Sequence, residues 1–257
     1  MLALITGAGA PGGIGMACAR ALGQAGYRLA ITATTGRIFA RAAELIAEGY
    51  QVTAHQADLT DPVQVAAMAD AVGPVSVLVN NAGMGSVTAP AEQVGFLDMT
   101  PDQWRRAMDV SLTTAVLVTQ ACLPSMLAAG QGRVVMMASV TGPYVSNIGE
   151  SAYSAAKAGM VGLTHALALE VAAKGVTVNA VAPGWIGTEA STPEELRAAA
   201  ATPPGRAGRP EEVAAVVAFL ASPAARRSRR RAPTRPTRQP ACRRKSGIPP
   251  RRPPKRR

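Results

Sequence analysis

Short runs of apolar, β-branched residues alternate along this chain with longer stretches whose apolar positions recur every three to four residues. LALIT (2–6), YRLAIT (27–32), QVTAHQ (51–56), VSVLVN (75–80), RVVMMAS (133–139) and VTVNAVAP (176–183) read as strands. Several are apolar at almost every position, as a strand covered on both faces requires. Helix-period segments lie between them at 13–26 and 36–49, from Asp61-Pro62, after Thr100, at 150–175, at 192–201 and from Pro210 to about Ala221. Asp61 before Pro62 is a cap followed by proline at the first helical position. Thr100 and Gln103 have the spacing at which each side chain reaches the other's backbone N–H. The alternation predicts a single α/β domain over residues 1–225: a Rossmann-type, doubly wound parallel sheet with helices on both faces and no internal repeat.

Charge changes this picture only at one end. The chain of 257 residues has 27 Lys and Arg against 16 Asp and Glu, a formal net charge of +11. Residues 226–257 hold 15 of those cations and no acid, which leaves 12 basic against 16 acidic residues, a net of −4, in 1–225. The basic character therefore belongs to a tail, in which seven prolines forbid a strand. Arg- and Pro-rich composition with an abrupt onset at Arg226 is what a shifted reading frame in a GC-rich gene would give. A genuine disordered extension and a nucleic-acid arm are the other two readings. No aromatic residue interleaves the arginines, so contact with nucleic acid would rest on non-specific phosphate attraction.

Three cysteines, Cys18, Cys122 and Cys242, show no ligand spacing, which implies no metal site and a reducing, cytoplasmic setting. The first residues lack a basic segment before the glycines, and the longest uncharged stretches are broken by Gly, Pro or NNAG. Neither a signal peptide nor a membrane span is expected.

Candidate chemistry begins at TGAGAPGGIG (6–15), on the first strand-to-helix turn. Glycines there let the backbone approach a pyrophosphate, which then sits on the helix N-terminus; the alternative is a glycine-rich turn without a ligand. No acid occurs between Arg20 and Glu44 to bind a ribose hydroxyl, and the second strand ends in TATTGR. Thr32, Thr34, Thr35 and Arg37 suit a 2′-phosphate, so NADP(H) is preferred and NAD(H) possible. Further on, Tyr153 and Lys157 stand four apart on one helix face. A phenol with an ordinary pKa near 10 is a poor acid or base at neutrality, and a neighbouring ammonium lowers it. Ser139 ends the preceding strand, where ligands of open α/β sheets bind. Together the three suit polarising a carbonyl and moving its proton. On most helices Tyr-x-x-x-Lys alone is only a surface pair.

Here the pattern does not stand alone. TGAGAPGGIG at 6–15, ADL at 57–59, NNAG at 80–83, Ser139, YSAAK at 153–157 and PGWIGT at 183–188 occur in that order. Over about residues 1–225 the chain resembles the short-chain dehydrogenase/reductase family, and its 151–184 stretch looks most like the 3-oxoacyl-(acyl-carrier-protein) reductase group. The resemblance implies Tyr153 as acid/base, Lys157 as the group that lowers its pKa and holds the nicotinamide ribose, and Ser139 as the group that positions the carbonyl. It implies a cofactor surface of Gly7, Gly9, Gly13, Ile14, Gly15, Thr34, Asp58, Leu59, Asn80, Ala82, Gly83, Pro183, Gly184, Ile186 and Thr188, together with Tyr153 and Lys157. Asp58 would meet the adenine. Asn80 and Asn81 read equally well as side chains that bond neighbouring strand ends.

The chain also departs from the family pattern. About two extra residues in the first turn leave open which of Gly7, Gly9 and Gly12 touches phosphate. Ser111 stands where the family has a catalytic Asn, as a shorter holder of the water that relays protons to Lys157. After FLASPAA (219–225) the family's last edge strand is missing, which puts its usual homo-oligomer in doubt. The expected substrate is a small carbonyl or alcohol, and a medium apolar or acyl ketone fits the alanine-rich lid between Gly184 and Gly205.

Overall fold

The computed structural model describes residues 1–83 and 93–225. Six parallel strands are flanked by helices: β1 Leu2–Thr6, α1 Ile14–Gln24, β2 Arg28–Ala33, α2 Arg37–Ala47, β3 Val52–Gln56, α3 Pro62–Val72, β4 Val77–Asn80, α4 Pro101–Met108, α5 Thr114–Ala128, β5 Gly132–Met137, α6 Ser151–Val171, β6 Val176–Val181, α7 Pro193–Ala200 and α8 Pro210–Ala221. The strand order is β3-β2-β1-β4-β5-β6. After β3 the chain crosses to the far side of β1, so the order reverses between β1 and β4, where a crevice opens at the strands' C-terminal ends.

Why both faces are apolar follows from the pleat. Ala3, Ile5, Leu29, Ile31, Val77, Val79, Val135 and Met137 face a layer built from α1, α2 and α8. Their neighbours in sequence, Leu4, Ala30, Leu78, Val134 and Met136, face α3, α5 and α6. Successive residues thus enter opposite cores, and a strand alternating with polar residues would expose one layer to water.

The expected caps form. Asp61 Oδ1 accepts from Val63 N at 2.8 Å. Thr100 Oγ1 accepts from Gln103 N, and the Gln103 side chain accepts from Thr100 N. Between α4 and α5 the helix does not run evenly: Asp109–Thr113 is a π-helical turn. The stretch Pro101–Ala128 is long and apolar enough by composition to cross a membrane. Ala115, Val118, Cys122 and Met126 of this stretch are buried in the second core. Among the described residues β6 pairs on one side only, with β5. The tail from Arg226, and with it the reading of residues 226–257, lies outside the described residues.

Candidate active site

The crevice between β1 and β4 is held by one threonine. Thr6 Oγ1 accepts from Asn81 N and Ala82 N, each at 2.9 Å, and donates to the Val79 carbonyl. The Asn81 amide donates to the Thr6 and Gly7 carbonyls at 3.0 and 3.1 Å. A Cβ at Gly7, where φ is +69°, would lie 2.8 Å from Ala82 Cα. One at Gly15 would lie 2.6 Å from the Gly7 carbonyl oxygen. These two glycines are therefore required by the approach of turn, strand end and helix to one another.

The other turn residues are placed differently. Gly9 faces the Ala33 methyl, and Gly12 lies against the Glu189 carboxylate, with a Cβ position 3.3 Å from Oε1. Gly13 is the N-cap of α1; no side chain caps that end, and no acid stands in its first turn, which starts Ile14-Gly15. An uncapped N-terminus opening on this crevice fits an anionic pyrophosphate. At the β2 end, Thr34, Thr35 and Arg37 are exposed, and Arg37 Nε donates to Thr35 Oγ1 at 3.2 Å. Thr32 is fully buried, with no bond to its hydroxyl, so it faces the sheet interior rather than that edge. Asp58 Oδ1 accepts from Thr60 N and Oγ1, which fixes the carboxylate, while Leu59 is buried in the second core.

Asn80 divides its two readings. Its side chain is buried and its amide donates to Thr119 Oγ1 at 2.8 Å and to Met136 Sδ at 3.2 Å. That side chain serves the packing behind the sheet end. The backbone that follows, through Ala82 to Gly83, forms the crevice wall: a Cβ at Gly83 would lie 3.5 Å from Lys157 Nζ.

Tyr153 and Lys157 come from the first two turns of α6, and Ser139 from just beyond β5. Lys157 Nζ lies 5.7 Å from the centre of the Tyr153 ring and donates to the Met137 carbonyl at 2.8 Å. Ser139 Oγ accepts from Thr141 N, which holds it at the strand end, close enough to the phenol to pull its pKa down. The electrostatics differ from the expectation that Lys157 lowers the Tyr153 pKa. Burial raises that pKa; the Ser139 hydroxyl opposes the rise, and the Glu150 and Glu195 charges add to it. Burial also pushes the Lys157 ammonium down to about 8. Two groups that both titrate against burial cannot be read from their spacing alone.

Ser111 lies within the π-helical turn, fully buried, and its hydroxyl has no hydrogen-bond partner. Pi-helical turns recur at functional sites, and a buried hydroxyl left unbonded needs an explanation. Across the crevice the Pro183 carbonyl accepts from Val140 N, and Gly184 follows it. Ile186 pairs with Gly208. Thr188 is not free: its N–H donates to Ser191 Oγ, and its own hydroxyl accepts from Ala190 N. The Met137 carbonyl, Glu150, Glu195 and the contact of Glu189 with Gly12 were not among the residues singled out from sequence. They are brought in by segments far apart in the chain.

With this geometry in place, the likenesses to known proteins are specific. A family profile described as enoyl-(acyl carrier protein) reductase matches residues 7–228. Oxidoreductase UcpA of Escherichia coli (strain K12) is 41% identical over 190 residues, 72% of this chain and 69% of that protein. The 3-oxoacyl-[acyl-carrier-protein] reductase of a Synechocystis strain is 39% identical over 194 residues, 73% and 75% of the two chains. Acetoacetyl-CoA reductase of Rhizobium meliloti is 40% identical over 192 residues, again 73% and 75%. The crystal structure of gox2181 superposes with a TM-score of 0.79 at 35% identity, covering 87% of this chain and 89% of that one.

Proposed function

Because the chain belongs to the short-chain dehydrogenase/reductase family and is an oxidoreductase of that type, we propose that it interconverts a ketone and a secondary alcohol with NADP(H), preferably on 3-oxoacyl-type substrates. The observation that carries this reading is the cluster of Tyr153, Lys157 and Ser139 at the β5 end, facing Gly83 on the wall that leads to the glycine turn. Residues 1–225 form the enzyme domain in this reading, and free, buried Cys18 and Cys122 suit a reducing cytoplasm.

Each residue then has a task. The turn at Gly9 and Gly13, the α1 N-terminus and the β4 wall would hold the dinucleotide, with Asp58 at the adenine and Ile186 and Thr188 at the far side. Thr34, Thr35 and Arg37 offer hydroxyls and a cation to a 2′-phosphate, and the sequence has no acid between Arg20 and Glu44 to repel it. When bound, the nicotinamide supplies or accepts the hydride. Ser139 donates to the carbonyl oxygen and orients it. Tyr153, whose pKa burial keeps high, is protonated at neutral pH and gives its phenolic proton to the developing alkoxide. Lys157 uses one donor on the Met137 carbonyl and has the others for a ribose hydroxyl and for stabilising the phenolate left by proton transfer. The buried Ser111 hydroxyl holds the water through which Lys157 exchanges protons.

Turnover of a 3-oxoacyl thioester or a simple ketone, followed by NADPH absorbance, tests this in the full chain. Tyr153→Phe is expected to lower kcat by about 10²- to 10⁴-fold, the range of general acid catalysis, while NADPH still quenches tryptophan fluorescence. Wild-type turnover in that variant would remove Tyr153 from the role. Tighter binding of NADH than of NADPH would remove the cofactor preference.

A further inference from the structure

The rim above Tyr153 is apolar and acidic at once. Loop residues 144–148 are tied to α6 by the Ser146 and Ser154 hydroxyls, 2.7 Å apart. They present Tyr144, Val145 and Ile148, which are 74, 56 and 97% exposed. Leu196 on α7 and Trp185 are large apolar side chains left exposed as well. These large exposed side chains take no part in the catalytic cluster, and together they are the surface an acyl chain or alkyl ketone would cover.

The charges on that rim have one sign. Glu150 stands at the N-cap of α6, three residues before Tyr153; its carboxylate accepts from Asn147 Nδ2 at 2.9 Å and from Gln93 Nε2 at 3.4 Å, both neutral amides. Glu195 accepts from the Thr192 N–H in the α7 capping box. Both lie near enough for their charge to act on the phenol. The nearest described cations have acids of their own or are buried: Arg197 is held by Glu194, Arg206 by Glu212, Arg209 stands near that same Glu212, and Lys157 lies buried beneath. Between residues 84 and 156 the sequence has basic residues only at 105, 106 and 133, and Arg133 is buried in β5 at its start, the opposite end from the site. Glu189 faces the glycine turn instead and does not belong to this rim.

Resting on the carbonyl-reductase reading, we propose that the site takes its substrate as an uncharged apolar carbonyl or neutral acyl thioester, and discriminates against the same acyl group on a phosphate-bearing carrier such as coenzyme A. A clustered charge of one sign at a cleft mouth lowers the local concentration of like-charged ligands, and like-charge juxtaposition selects against the wrong partner. The phosphates of coenzyme A would have to rest outside an acyl group seated at Tyr153, on the side where Glu150 and Glu195 stand. Coenzyme A, the carrier named in the acetoacetyl-CoA reductase relative, is thus not expected for this chain.

The test compares one acyl group on two carriers in the same full-length protein: the N-acetylcysteamine thioester of 3-oxobutanoate, which is neutral, against acetoacetyl-CoA. The neutral ester is expected to have the higher kcat/KM, by about fivefold at ~50 mM salt, and the ratio to narrow at ~0.5 M salt as screening shortens. The isosteric pair Glu150→Gln and Glu195→Gln is expected to narrow it at low salt as well. Because the readout is a ratio within each protein, altered folding or an altered Tyr153 pKa cancels. Equal or better use of acetoacetyl-CoA at low salt overturns the proposal, as does a ratio that moves with neither salt nor substitution. Failure of both esters and of simple ketones would instead remove the carbonyl-reductase reading, and this proposal with it.

Discussion

The β1–β4 crevice and the β5–α6 wall both line the site, yet Thr6 and Asn81 in the one are bonded far more fully than Lys157 and Ser111 in the other. Asn80 Oδ1, behind the crevice, is also without a partner. At the crevice the Thr6 hydroxyl makes three bonds, and the Asn81 amide bridges two carbonyls. At the wall Lys157 makes one bond with three donors, Tyr153 is held above its ordinary pKa by burial, and Ser111 makes none. Saturated groups are satisfied by the fold itself; unsaturated ones carry an energetic cost that only a ligand, water or substrate relieves. Changes at the crevice should therefore be felt first in stability, and changes at the wall first in chemistry.

The largest expected separation comes from Gly15→Ala. The new methyl would meet the Gly7 carbonyl oxygen and the Ala8 backbone, neither of which can yield as a flexible side chain does. Overpacking of this kind costs about 3 kcal/mol, the upper part of its usual range. A thermal melt of the ligand-free variant should show the loss before any cofactor is added. An unshifted melt with weakened NADPH binding would mean that Gly15 serves the ligand rather than the fold, and would erase the contrast between the two regions.

How far the sequence discloses these regions differs in the same way. The sheet and its order of helices are legible because each strand is apolar on both faces, a pattern few other structures need. The glycine turn is legible because it sits at the first strand-to-helix junction, and Tyr153 and Lys157 because four residues make one helical turn. The π-helical turn is not: Asp109–Thr113 is too short to show a period of its own, so the pattern does not mark Ser111 as buried. Nor is the reversal at Tyr153. Its pKa depends on burial and on Glu195, which arrives from α7, 42 positions further along the chain. β4 also begins at Val77 rather than Val75, because pairing with β1 starts only at Ala3.

A smaller effect should appear when the wall is relieved of its buried charge. Lys157 titrates at about 8 in the folded chain against an ordinary 10.5. Between those values the unfolded chain binds the proton and the folded chain does not, so this group's contribution rises with pH; its penalty is complete below 8 and fades towards 10.5. Buried Cys18 and Cys122, raised to about 12 and about 11, act in the opposite sense above 9 and mask the rise in the parent protein. The difference between the parent and Lys157→Met isolates it, since the cysteines are common to both. That difference is expected to change by about 2 kcal/mol between about pH 7.5 and 9.5, in the direction that favours the parent at higher pH. A difference that stays flat with pH would show that Lys157 is solvated rather than buried.

The smallest effect on stability, and the one that tests the wall most closely, belongs to Ser111. Its hydroxyl is buried without a partner, so Ser111→Ala removes an unsatisfied polar atom and leaves almost the same shape. Where a buried hydroxyl bonds nothing, its deletion should be neutral or stabilising within about 1 kcal/mol, whereas deletion of one that holds a water should leave that water short of a partner. The two cases separate by exchange rather than by melting. If Ser111 holds a relay water to Lys157, Ser111→Ala should lower kcat severalfold with KM little changed, and should alter the solvent-deuterium effect on kcat. Ser111→Asn should keep activity, because an amide carbonyl can take the same water. Unchanged kcat and isotope effect in Ser111→Ala would make the π-helical turn a packing feature, and the unsaturated side of the comparison would then reduce to Lys157 and Tyr153.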